Sequence, residues 1–230
     1  KLFVHFHGYD ANVLPRNWQQ RELYKRLFSK TERVIAASQF MRERLVSLGC
    51  PSERIEIIPC GVDVRQFSPA SEEQREPLIL MVSRLVRQKG PTYSLDAFAR
   101  IAHRFPDLRL EIIGEGPLKE ELKMRAKASG IADRVYLHGA TTHDFVCKRL
   151  QSARLLIQHC MTFPGEGVES LGLSILEAMA CGVPVIATRH GAIVETVEHG
   201  VTGLLVSEGD VNGMAEAMAT LLTDPARAAA

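Results

Sequence analysis

"ESLGLSILEAMACGVPVIATRHG", residues 169–191, decides how the chain is to be read. Apolar positions recur with helical spacing from Gly172 to Cys181, Gly182 and Pro184 then punctuate the chain, and residues 183–187 form a short apolar, β-branched run. A helix passing through a tight turn into an uninterrupted apolar strand is the pattern of a strand buried on both faces of a parallel sheet. The same stretch carries Glu169 in the approach to the helix and Glu177 on what reads as its buried face. A buried acid is costly unless it is paired or hydrogen-bonded, so together the two carboxylates suit the hydroxyls of a polyol, while singly Glu177 also reads as a helix acid favoured by the macrodipole and Glu169 as a capping-region acid.

Outward from this stretch the alternation repeats. Strands are expected over 2–6, 33–37 and 54–58, then over 78–83, 108–113, 134–138, 154–158, 183–187 and 203–206. Helices are expected over 17–28, 39–48, 91–104, 117–129, 142–151, 172–181, 191–198 and 211–222. The polar stretch Ser68–Pro77 separates two units, 1–70 and 71–230, and no internal repeat competes with this division. The fold class is therefore α/β, with doubly wound parallel sheets covered on both faces. The second unit holds enough β/α repeats to stand alone. The first holds only three strands and is expected to be incomplete, so the chain, which opens on Lys1, reads as a fragment of a longer protein.

Composition limits the function classes. Lys+Arg 28 against Asp+Glu 27 excludes a nucleic-acid binder that works through bulk charge. Cys50, Cys60, Cys147, Cys160 and Cys181 are scattered, without Cys-x-x-Cys or Cys/His ligand spacing, and favour reduced thiols in a cytoplasmic protein. No apolar run is long enough to span a membrane, and no signal peptide opens the chain. Residues 16–44 interleave Arg and Lys with Trp18, Tyr24 and Phe28. That composition suits an ordinary solvated helix and also peripheral docking on anionic lipid.

In open parallel sheets, ligands bind beyond the carboxyl ends of the strands. After strand 78–83 comes "SRLVRQKGP", where Arg84 and Lys89 flank a helix start, an arrangement suited to a diphosphate. After strand 108–113 comes "GEGPLKEEL", in which Gly114 and Gly116 make a tight turn and Pro117 is expected in the first helical turn. It is half of a dinucleotide fingerprint without the third glycine.

Taken in order, "HFHGYD" (5–10), "IPCGVDVRQFSP" (58–69), "VSRLVRQKG" (82–90), the E-x7-E pair Glu169 and Glu177, "AMACGVPVIAT" and "GAIVETVEHGVTGLLV" resemble the retaining, nucleotide-sugar-dependent glycosyltransferases of family 4, also called group 1. The resemblance covers essentially the whole chain. It implies the GT-B architecture: two Rossmann-like doubly wound domains, the C-terminal one binding the donor and the N-terminal one, incomplete here, the acceptor. It implies that Arg84 and Lys89 contact the donor diphosphate, Glu177 the ribose, and Glu169 the transferred sugar. The amides of Leu171, Gly172 and Leu173 would face sugar and phosphate with Gly114 beside them, and His7 would lie near the reaction centre. Asp10 and Asp63 are weaker candidates, because turn chemistry explains both. The chain departs from the family at Cys60, where asparagine is usual, at Ser170, usually glycine, and at Val194, usually proline before the matched Glu195. The family's glycine-rich acceptor loop is absent from the sequence.

The implied reaction moves a hexosyl-type sugar from a UDP- or GDP-sugar to an acceptor hydroxyl, on a sugar or a lipid-linked sugar, in polysaccharide or lipid-linked glycan synthesis. The resemblance implies a cytoplasmic protein, with peripheral contact at the inner membrane face if the acceptor is lipid-linked. No Asp-x-Asp pair is present, so neither a protein-held metal nor any other cofactor is expected. Two alternatives stay open: a non-catalytic nucleotide-binding fragment, and another GT-B enzyme such as a sugar-nucleotide epimerase.

Overall fold

The computed structural model describes residues 1–15 and 17–224. In chain order the elements are β1 (Phe3–Phe6), α1 (Tyr9–Asn12), α2 (Trp18–Lys30), β2 (Arg33–Ala36), α3 (Gln39–Ser47), β3 (Ile55–Ile57), β4 (Leu78–Val82), α4 (Pro91–Ile101), β5 (Arg109–Ile113) and α5 (Lys119–Ala128). They continue with β6 (Val135–Gly139), α6 (His143–Ser152), β7 (Leu155–Gln158), α7 (Leu173–Ala180), β8 (Val185–Thr188), α8 (Ile193–Thr196), β9 (Gly203–Val206) and α9 (Val211–Thr223). Short 3-10 turns link several of them. The chain forms two compact units, a front one of residues 1–61, 162–172 and 190–196, and a rear one of 62–161, 173–189 and 197 onward.

The front unit holds a parallel sheet ordered β1-β2-β3. Phe6, Phe28, Val34, Met41 and Leu45 bury their side chains between this sheet and the helices. Local chemistry starts the helices: Asn17 accepts from the Gln20 amide ahead of α2, and Ser38 accepts from the Met41 amide ahead of α3.

The rear unit is a six-stranded parallel sheet ordered β6-β5-β4-β7-β8-β9. This is the doubly wound order, in which the winding reverses between the first strand and the fourth, here β4 and β7. Every residue of β7 and β8 is buried, as expected of strands covered on both faces. On one face Leu95, Phe98 and Ile101 of α4 and Met214 and Met218 of α9 pack over Ile79, Met81, Leu110 and Ile112. Glu111, between Leu110 and Ile112, points the other way. There Arg149 of α6 grips it with Nε at 2.8 Å and Nη2 at 2.6 Å, Arg109 donates at 3.1 Å, and His138 donates from Nε2 at 2.8 Å. Glu76 completes the network by accepting from Arg149 and Arg109. Burial alone would raise the Glu111 pKa, but the hydrogen bonds and charge of Arg149, then those of His138, hold it below the ordinary range.

Each unit repeats one device that the sequence did not betray as a repeat. Arg54 donates Nη1 to the carbonyls of Phe28 at 2.7 Å and Thr31 at 3.1 Å, closing the end of α2. Arg134 does the same for Ala102 at 2.8 Å and Phe105 at 3.2 Å beyond α4. In both cases a guanidinium gathers carbonyls at and just beyond a helix end.

Most expected elements form within a residue of their expected bounds; the helix read over 91–104 ends at Ile101 and runs on as a 3-10 turn, and several of the other differences have local causes. The helix read over 191–198 contracts to Ile193–Thr196, because Gly191 has φ 51° and lies against the Glu169 carbonyl. The strand read from 183 starts at Val185, after Pro184, which has no N–H to give. Pro117 lies ahead of α5 rather than in its first turn, because the amide of Leu118 is drawn to the Leu85 carbonyl at 3.1 Å.

Candidate functional site

In the rear unit the loops after β4 and β7 meet at the point where the winding reverses. The loop after β4 exposes Arg84, buries Leu85 and coils through Arg87–Lys89 into Gly90. Gly90 is left-handed, at φ 54°, and a Cβ there would collide with the His159 carbonyl of the β7 loop. The Met161 amide donates to the Gln88 carbonyl at 2.9 Å, tying the loops together a second time. Pro91 then opens α4 at its first position, so the unpaired N–H groups of that helix end face the crevice. Lys89 is half-buried on this turn.

Gly114 and Gly116 serve the same loop from the side. A Cβ on Gly114 would strike the Ser83 carbonyl, and one on Gly116 the Leu85 carbonyl. The two loops are zipped by backbone bonds, Ser83 amide to Ile113 carbonyl at 3.0 Å and Leu85 amide to Glu115 carbonyl at 2.8 Å. These glycines thus permit loop-to-loop contact beside the Arg84 backbone.

Leu173 begins α7 and is exposed. One residue on, the Ser174 hydroxyl donates to Gln158 Oε1 at 3.1 Å, which fixes this helix end to the end of β7. Glu177 follows three residues later and is buried, its side chain 7% exposed. His143, first residue of α6, donates from Nε2 to Glu177 Oε1 at 2.9 Å and is itself 60% exposed. The rear unit therefore gathers Arg84, Lys89, Gly114, Leu173 and Glu177 along the carboxyl ends of its strands.

The front unit gathers the others. His7 is exposed just beyond β1, its ring 4.2 Å from that of His5. Burial, then the neighbouring His7, lowers the His5 pKa against the pull of Asp10. Gly8, at φ 127°, packs against the Ser170 side chain so closely that a Cβ would not fit. The segments bearing His7 and Glu169 are thereby joined. The Glu169 carbonyl accepts from the Ala192 amide at 2.9 Å, and His190 Nε2 accepts from the Glu169 amide at 3.2 Å. The Leu171 carbonyl takes the Thr196 hydroxyl at 3.2 Å, and Gly172, at φ 82°, turns the chain away.

Asp10 acts as turn chemistry: its carboxylate accepts from the amides of His7, Gly8 and Ala11 at 2.8–3.1 Å. Asp63 accepts from the Arg65 amide at 3.0 Å. Ser170 fits where glycine is usual, since among the described residues only glycines have positive φ. His143 was missed in the sequence, and Glu195 was matched there without a role. The Glu195 carboxylate accepts from the amides of Gln39 at 2.8 Å and Phe40 at 2.7 Å, the first two of α3, beside the Met41 amide that Ser38 takes. Both residues take their roles from partners far away in sequence, which no local pattern announces.

Comparison with known proteins places these features. Residues 64–230 match the model of "Glycosyl transferases group 1" and residues 1–66 that of "Glycosyltransferase Family 4". The chain is 35% identical over 243 residues to a GDP-mannose-dependent alpha-(1-6)-phosphatidylinositol monomannoside mannosyltransferase of Mycolicibacterium smegmatis, an alignment taking in 100% of this chain and 63% of that protein. It is 29% identical over 212 residues to the amylovoran biosynthesis glycosyltransferase AmsK of Erwinia amylovora, covering 91% of this chain and 52% of the relative. The chain thus spans less than two thirds of these relatives' length. Among solved structures, Anabaena HepE in complex with UDP superposes with a TM-score of 0.84 at 24% identity, over 99% of this chain and 63–64% of HepE in its several complexes. The doubly wound fold and the two family matches agree, and the chain belongs to the group 1, family 4 glycosyltransferases of GT-B architecture.

Proposed function

We propose that the rear unit binds a nucleoside-diphosphate sugar and that the protein transfers its sugar, with retention, to an acceptor hydroxyl. The observation that carries this reading is the loop after β4, where Arg84, Lys89 and the α4 N-terminus stand together at the sheet's reversal point, with buried Glu177 on α7 of the same unit. The donor's anomeric carbon is already activated by its diphosphate, so the protein's task is to stabilise charge on the leaving group and to hold the acceptor. Arg84 and Lys89, with the helix N–H groups, take the place of a metal ion at the diphosphate. Within the rear unit Glu177 accepts from the ribose, and the Leu173 amide and the Gly114 turn border the phosphates. Of the front unit by itself, Glu169, His7 and the amides of Leu171 and Gly172 are the candidates for sugar and acceptor.

The mannosyltransferase relatives support GDP-mannose as the first donor to try, and the UDP-bound HepE supports UDP as the second. Relatives in lipid-glycan and polysaccharide assembly support a sugar or lipid-linked sugar as acceptor. Among the described residues no helix is long and apolar enough to cross a membrane. Contact with a lipid-linked acceptor falls instead to α2, whose Trp18 and Leu23 are 75% and 61% exposed among basic residues. A dinucleotide site is disfavoured, because Gly114 and Gly116 are occupied by the neighbouring loop's backbone.

The test is calorimetric titration with GDP, UDP, ADP and NAD⁺, each with and without Mg²⁺. One nucleoside diphosphate should bind without metal. Arg84→Ala should weaken it about tenfold or more, the value of one charged hydrogen bond, at unchanged melting temperature. Binding of NAD⁺ alone, or an Arg84→Ala protein with undiminished affinity, would overturn the reading.

A further inference from the structure

We propose that His143 is the positioning residue for Glu177, and that the chain's discrimination between ribose and deoxyribose in the nucleotide depends on this imidazole. The proposal rests on the donor-site reading above and deepens it. Glu177 Oε1 receives the Nε2–H of His143 at 2.9 Å. A carboxylate held at one oxygen presents the lone pairs of the other in a fixed direction, as reading a pair of vicinal hydroxyls requires. A free carboxylate would have to be ordered by the ligand at the ligand's expense.

The imidazole is in turn held from several sides. The Phe67 ring, fully buried, meets it edge-on at 4.9 Å and 64°. The residue before Phe67 is pinned to α6 twice: the Gln66 backbone carbonyl accepts the Cys147 thiol at 3.1 Å, and the Gln66 side chain donates from Nε2 to Asp144 Oδ1 at 2.9 Å. Thr142 caps the helix by accepting from the Phe145 amide at 3.3 Å. The imidazole itself remains 60% exposed. An interior filler would be enclosed, whereas this ring is open to solvent with its polar end turned to the acid.

The experiment measures affinities for GDP and for 2′-deoxy-GDP and 3′-deoxy-GDP, or for the UDP set if UDP binds more tightly, on the 230-residue chain. Wild type should prefer the ribonucleotide by about tenfold or more, and Glu177→Ala should abolish the preference. His143→Leu should reduce it to about threefold or less. His143→Gln, whose amide reaches the carboxylate, should retain it, and His143→Asn, whose shorter amide falls short, should not. A simple packing role would lower the melting temperature of all three His143 variants without moving this ratio. Should His143→Leu fail to fold, the contrast between Gln and Asn carries the test alone. If His143→Leu and His143→Asn keep the full preference while Glu177→Ala loses it, His143 does not position the acid and the inference falls, with the donor site intact. If Glu177→Ala leaves the preference unchanged, the donor-site reading itself fails.

Discussion

Acidifying the solution from pH 7 to 5 should destabilise the rear unit through one side chain, His159. It follows β7 at the reversal point, fully enclosed, with its ring stacked on Tyr93 at 5.1 Å and 11°. Nε2 accepts from the Gly209 amide at 2.9 Å, which places the imidazole proton on Nδ1, 3.3 Å from Met214 Sδ. Burial lowers its pKa from 6.5 to about 4, against the opposing pull of Asp210 and then Glu208. The folded pKa is below the unfolded one. Above pH 6.5 both states are neutral and nothing changes, and below it the unfolded chain takes up a proton that the folded one refuses, so stability falls until about pH 4. At roughly 1.4 kcal/mol per pH unit over this window, the full loss is about 3 kcal/mol, with about 2 kcal/mol lost by pH 5. Glu111, whose pKa is lowered from 4.5, adds its own loss only below that value, outside the range used. Urea unfolding followed by far-ultraviolet circular dichroism at pH 7, 6 and 5 should show the decline in wild type, and His159→Gln should flatten it. A variant that loses stability in parallel with wild type would refute the assignment.

Gly90→Ala should lower stability by about 2 kcal/mol or more, because it adds left-handed strain to a collision with the His159 carbonyl; calorimetry reads the shift. Glu195→Ala should cost the front unit about 1 kcal/mol by uncapping α3, seen in the fluorescence of Trp18, the single tryptophan, with nucleotide affinity unchanged. Arg149→Leu should cost about 3–5 kcal/mol by leaving buried Glu111 without its two-pronged partner, and adding Glu111→Leu should recover much of the loss in urea titrations.

The central strands of the rear unit were legible because burial on both faces leaves no alternation to misread: 78–82, 155–158 and 185–188 are apolar nearly throughout. Helix starts were legible where a local signal exists, as at Ser38, Asn17 and Pro91. Of the candidate site, Arg84, Lys89 and Glu177 could be placed on a loop, a turn and a buried helix face, because position in a β/α repeat dictates each. Periodicity shows which face a residue occupies but not which distant residue meets it. His143 on Glu177, Glu195 on the start of α3 and the Gly90 contact with His159 are all tertiary, and none shows in a window of sequence. The glycines of "GEG" were legible as a tight turn, yet what approaches them is a neighbouring loop, which only three dimensions disclose.

The assignment of residues 162–172 and 190–196 to the front unit bears on how the chain is made. Gly8 waits for Ser170, and the amides at the start of α3 wait for Glu195, so the first 61 residues emerge from the ribosome with their helix cap and loop support still to be synthesised. The front unit can finish folding only after residue 196 is available, whereas the β4, α4 and β5 segment finds its partners close by in sequence. The rear unit waits longer still for its last strand and for α9, whose Met214 and Met218 close its core. A cut after residue 61 would separate a sheet from its supports rather than release a domain.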